Sequence, residues 1–86
     1  MRFLYKYKTK EYLGEYILIP TDENIFDDKV LMSLDYFGYY IISLMKQDVT
    51  EEEILHKIAE HFGSDEETIN AYKSLRDTLL KKQLIK

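Results

Sequence analysis

KVLMSLDYFGYYIISLM, Lys29 to Met45, is the stretch on which the reading of the chain turns. Val30–Leu34 predicts a short strand, with Val30, Met32 and Leu34 on one face and Leu31 and Ser33 on the other. Asp35 then offers an N-cap side chain, so the strand runs straight into a helix. In that helix Phe37, Tyr40, Ile41, Leu44 and Met45 recur at steps of three and four, and Tyr36, Tyr39 and Ile42 add a second stripe. A helix that is apolar around most of its girth is either wrapped on several sides or exposes a patch that a partner covers.

Upstream, Phe3 to Thr9 alternates: Phe3, Tyr5, Tyr7 and Thr9 on one face, Leu4, Lys6, Lys8 and Lys10 on the other. Period two with aromatic enrichment predicts a half-buried strand. Gly14 marks a turn, Glu15–Ile19 predicts the returning strand, and Pro20 ends it because proline cannot continue the ladder. The acidic connection Thr21–Asp28 spaces Asp22, Asn24 and Asp27 in a way that invites a calcium reading. It lacks the glycine and terminal glutamate of a calcium-binding helix-loop-helix, and a solvated loop is the expectation.

Downstream, Thr50 and Glu53 have the capping-box spacing, with Val49 and Ile54 placed as a hydrophobic staple. Ile54, Ile58, Ala59 and Phe62 predict the buried stripe of this helix, and Gly63 its stop. Ser64 and Glu67 repeat the spacing and predict the start of a last helix, which buries Ile69, Tyr72, Leu75 and Leu79 and ends near Gln83. Leu84 and Ile85 are expected to fold back onto the core. Strands first and helices after is an α+β order, winged-helix-like, with a three-stranded antiparallel sheet followed by three helices.

A chain of 86 residues suits one domain, 1–86, with 45% hydrophobic and 33% charged residues marking it as globular and not disordered. Without cysteine it has no disulfide, thiolate metal site or cysteine nucleophile, which fits a reducing, cytoplasmic address. The apolar runs are far shorter than the ~20 residues that span a bilayer, and no secretory signal follows the N-terminal charges. Net charge is −4, unevenly spread: residues 1–20 hold four basic and two acidic groups, 21–67 three and thirteen, 68–86 five and one. A nucleic-acid-binding domain is more often basic throughout.

No group of residues has the pattern of an enzyme. His56 and His61 are five apart and do not share a helix face as an i, i+4 metal pair would. The acids Glu51–Glu53 and Asp65–Glu67 sit in first helical turns, where the helix dipole favours them. No glycine-rich phosphate loop or nucleophile elbow is present. A helix-turn-helix around Phe62–Ser64 is conceivable, which makes a winged-helix DNA-binding regulator the competing reading. Its reading helix would meet phosphates with Asp65, Glu66 and Glu67, and that repulsion opposes DNA affinity. Lys73 and Arg76, three apart, form a basic strip next to Leu80, suited to a solvated surface or to an acidic, leucine-bearing peptide.

Taken together, Tyr7–Pro20 (YKTKEYLGEYILIP), Met32–Met45, Val49–Phe62 and Asp65–Ile85 resemble the PqqD-like family, the recognition elements that hold ribosomally made precursor peptides for modifying enzymes. The resemblance lies in Leu34 with its N-cap and Gly38, the threonine-capped helix, and the closing pair Leu84–Ile85. Members often carry an asparagine–glycine turn where this chain has Asp28–Lys29, a large residue at Ile42, and a glycine where it has Gln83. The resemblance implies a non-catalytic chaperone without cofactor or metal. It binds a precursor leader peptide by strand addition beside the third strand, against the last helix, and presents it to a modifying enzyme such as a radical-SAM enzyme or a maturation protease. Carried over by position, Val30, Leu31, Met32 and Ser33 form the pairing edge, Tyr72, Leu75 and Leu79 the inner wall, and Lys73 and Arg76 the rim. An open strand edge allows either a monomer or an edge-paired homodimer.

Overall fold

Leu13 and Gly14 both take positive φ, 51° and 82°. Two such residues between facing strands make the tight hairpin turn whose twist matches that of the sheet. They join β1 (Tyr7–Tyr12) to β2 (Glu15–Pro20) in the register Tyr12↔Glu15 to Tyr7↔Pro20. The molecule is seen in a computed structural model that describes residues 1–21 and 32–86. Val30, Leu31 and the spaced Asp22, Asn24 and Asp27 lie outside the described residues.

β3 (Met32–Leu34) pairs antiparallel with β2, completing a sheet of order β1-β2-β3. Three helices follow: α1 (Tyr36–Leu44), α2 (Glu51–His61) and α3 (Glu66–Lys81). The α+β expectation holds, a three-stranded antiparallel sheet and then three helices.

The N-caps explain why the helices begin where they do. Asp35 accepts from the Gly38 amide at 2.8 Å and Thr50 from the Glu53 amide at 3.1 Å. Such caps each contribute about 1 kcal/mol. The third cap is Asp65, accepting from the Thr68 amide, one residue beyond the expected Ser64. Both side chains can cap, but the carboxylate makes the charge-assisted bond; the Thr68 hydroxyl first, and its amide after it, hold the Asp65 carboxyl below the ordinary range.

α1 is the hub, packing on β2, β3, α2 and α3. Its Ile41, Ile42 and the following Met45 are fully buried, with Ile54 and Ile58 of α2 and Tyr72 and Leu79 of α3 beside them. Burying each such side chain is worth about 1.5–3 kcal/mol. Ala59, expected in the α2 stripe, is exposed, and Phe62 only half-buried.

The first strand begins later than the alternation suggests, at Tyr7 and not Phe3. Phe3, Tyr5 and Tyr7 do face inward, with Arg2, Leu4 and Lys6 outward. The backbone changes partner on the way. Arg2 and Lys86 exchange amide–carbonyl bonds, Leu4 donates to Leu84, and Phe3 donates to Met45. The end of α3 makes that pairing possible. Leu84 donates to the Leu79 carbonyl and Gln83 to that of Leu80, a Schellman stop with Gln83 at φ 61°. Leu84 and Ile85 thereby turn back into the core, as expected.

Candidate functional site

β3 is an outer strand, and among the described residues none pairs with its far side. Which of its main-chain groups point there follows from the hairpin. Tyr12 and Glu15 close a two-residue turn and so form a hydrogen-bonded pair, after which bonded and non-bonded pairs alternate. The Thr21 amide donating to the Lys6 carbonyl at 3.0 Å fits this phase. Glu15, Ile17 and Ile19 therefore bond to β1, and Tyr16 and Leu18 to β3. In the β2–β3 register Leu34 and Met32 are the bonded partners, and Ser33, opposite Ile17, is not. The N–H and C=O of Ser33 point outward. Its side chain is exposed while Leu34 is buried, so the strand is braced on one face and open along its margin.

On α3 the burial expected from spacing holds for Tyr72 and Leu79, and the groove wall carried over from the resemblance does not. Tyr72 and Leu79, assigned to an inner wall, have no exposure at all and belong to the core. Periodicity marks the stripe they share, and that stripe is spent on α1 and the chain's first residues. The Tyr72 hydroxyl reaches the Met1 sulfur at 3.6 Å. Burial, then the neighbouring Glu51, pushes this hydroxyl up to about 12. Leu75 is half-buried against the same core.

Of the basic rim only Lys73 is exposed. Arg76 donates from Nη1 to Glu51 Oε1 at 2.7 Å and from Nε to Asp77 Oδ1 at 3.0 Å, with its guanidinium over the Tyr72 ring. Its pKa is raised by Asp77 and then Glu51. The Arg76 flank of α3 thus faces the first turn of α2, and two carboxylates offset its charge.

Two surface features escaped the sequence reading. A cleft of about 600 Å³ is lined by residues 2–8 with Thr21 and Lys46, so Arg2, Lys6, Lys8 and Lys46 share it with Phe3, Tyr5 and Tyr7. The excess of base in residues 1–20 signalled it, but the meeting with Lys46 is tertiary. Lys46 lies over the Tyr7 ring at 5.3 Å. The Tyr7 hydroxyl is buried without a partner among the described residues, and burial pushes it up to about 12. Secondly, Tyr16 of β2 stacks on Tyr39 of α1 with centroids 4.5 Å apart, and Tyr36, Tyr40 and Phe62 extend the cluster toward the end of α2. The tyrosine spacing in α1 pointed to this face; the part played by Tyr16 did not show.

His56 pairs with Glu60 at 2.7 Å and His61 rests on Tyr40, so the two histidines face different neighbours. Among the described residues no three His, Asp or Glu side chains gather as a metal site would, and no helix is long and apolar enough to cross a membrane. Comparison with protein-family models, curated proteins and solved structures yields no match.

Proposed function

We propose that the chain is a non-catalytic peptide chaperone of the PqqD-like kind, which takes the leader region of a ribosomally made precursor as an added strand along β3 and presents it to a modifying enzyme in the cytoplasm. The observation that carries this reading is the outward N–H and C=O of Ser33 on an uncharged outer strand braced by Leu34 and α1. Main-chain pairing at such an edge supplies affinity, and flanking side chains supply selection. With Tyr72 and Leu79 in the core, selection falls to exposed side chains, and Lys73 is the exposed one of those carried over to α3. The DNA-binding alternative meets three exposed carboxylates, Asp65, Glu66 and Glu67, at the start of α3.

The test titrates synthetic leader peptides, taken from short reading frames adjacent to the gene, into isotope-labelled protein. Slowed amide exchange at Ser33 and shifts along Met32–Leu34 are the expected result. Binding that leaves the Ser33 amide exchanging freely, or that maps to β1, would overturn strand addition at β3.

A further inference from the structure

Tyr36, in the first turn of α1, is 55% exposed although its ring centroid lies 6.0 to 6.5 Å from those of Tyr16, Tyr39, Tyr40 and Phe62. Core packing does not account for a large ring left half in water over four others. Carboxylates border these rings. Glu11 stands opposite Tyr16 in the β1–β2 register, and its carboxylate raises the Tyr16 hydroxyl after burial does. Glu60 does the same for Tyr40, and the exposed Asp35 caps the helix that Tyr36 opens. Among the described residues the cations over tyrosine faces are Lys46 on Tyr7 and Arg76 on Tyr72; this cluster has none of its own. Lys8 and Lys10 alternate with Glu11 and so project from the other face of the sheet.

We propose that the tyrosine face of Tyr16, Tyr36, Tyr39 and Tyr40 docks an arginine-bearing segment of a partner protein. A guanidinium stacks flat on an aromatic ring and donates in its own plane, so one side chain meets both a ring and a flanking carboxylate. Glu11 and Asp35 supply acceptors at the margin of the patch, and the Asp35 charge offsets the positive end of the α1 dipole. Lysine can satisfy the charge but not the stacking. The surface adjoins the end of β3 but works through side-chain faces, so it stands whether or not that strand takes a peptide.

The experiment uses the whole chain and a capped glycine–arginine repeat peptide, with lysine and citrulline counterparts, followed by resonance shifts of the tyrosines. The arginine peptide is expected to bind best, the citrulline peptide not at all, with shifts centred on Tyr36 and Tyr16. Tyr36→Ala should weaken binding about two- to fivefold, the range of one exposed cation–ring contact. Glu11→Gln, which leaves the rings in place, should weaken it and flatten its salt dependence. Tyr12→Ala, at an exposed ring outside the cluster, should change nothing. Equal affinity for arginine and lysine, a Tyr36→Ala variant that binds like the parent, shifts centred on Glu51–Glu53, or no binding would each overturn the proposal.

Discussion

β1 offers six residues of outer margin, exposed on nearly every side chain and bearing Lys8, Lys10 and Glu11, whereas the described part of β3 is three uncharged residues that run directly into the hub helix. Both are unpaired on one side among the described residues. Lysines along a margin discourage another chain from adding there. β1 also stands away from the core as one arm of a hairpin, so a strand added to it would have to order that arm. At β3 the ordering is already done, because Leu34 is buried and Asp35 caps α1 immediately after. An open margin is thus a hazard on one side of the sheet and an opportunity on the other, and charge and bracing distinguish them.

The largest effect would remove both margins at once. Tyr7 opens β1 and Tyr72 is on the buried face of α3, each with its hydroxyl raised from 10.0 to about 12, chiefly by burial. The fold favours the neutral form, so this contribution is whole below pH 10 and drains away as pH climbs toward 12. In an alkaline titration of the eight tyrosines, these two should ionise late and together with loss of helical signal. Tyr7→Phe removes a buried hydroxyl that has no described partner. It should stabilise the protein by about 1 kcal/mol and raise the alkaline midpoint. A hydroxyl that titrates near 10 in the folded protein would show that Tyr7 is open to water.

Next in size is a matched pair of prolines. Ser33 and Thr9 both stand in non-bonded pairs with β2, so the amide of each points to its own free margin. Proline deletes that donor without touching the bonds to β2. Ser33→Pro should cost a leader peptide about tenfold or more in affinity, while Ser33→Ala and Thr9→Pro leave it near the parent value. Thermal unfolding of each variant separates lost binding from lost fold. If the two prolines were equally harmful, the contrast between the margins would not bear on binding.

α3 tests the same contrast more weakly. Lys73 is exposed, while Arg76 is held by Glu51 and Asp77. Lys73→Glu should weaken an acidic leader about two- to threefold at low salt and little at high salt. Arg76→Gln should leave affinity alone and lower the thermal midpoint slightly, through the lost link between α3 and α2. The opposite pattern would return Arg76 to the rim.

These contrasts show how far a sequence carries this fold. Asp35 and Thr50 were legible because capping is a local exchange between a side chain and an amide three residues on. The strand-to-helix junction at Leu34–Tyr36 was legible for the same reason. The burial of Tyr72 and Leu79 was legible from their spacing, but the groove wall carried over to them was not borne out, because a period of three and four tells which residues share a stripe and not what covers it. The start of β1 failed similarly. Phe3, Tyr5 and Tyr7 alternate continuously, yet the backbone passes from the C-terminal residues and Met45 to β2 within that run, and alternation records faces, not partners. Gln83 stands at positive φ, a conformation glycine adopts most readily, and nothing in the local sequence marks that position.

The smallest effect concerns the hairpin that holds the β1 margin. Leu13 sits at φ 51° and is 87% exposed, so its side chain adds strain to the turn and gains little from burial. Asparagine tolerates this conformation, and Asn-Gly is the favoured pair for such turns. Leu13→Asn should therefore stabilise the protein by about 0.5–1 kcal/mol. The gain should appear as slower amide exchange across Lys8, Lys10 and Tyr12, the residues bonded to β2 near the turn. Affinity at β3 should not change, because the bonded pairs Tyr16–Leu34 and Leu18–Met32 are already set by the other side of β2. If tightening the turn did alter leader binding, the hairpin and the β3 margin would be moving as one element. Bracing by α1 would then be too weak a ground for proposing β3, and not β1, as the strand that receives a partner.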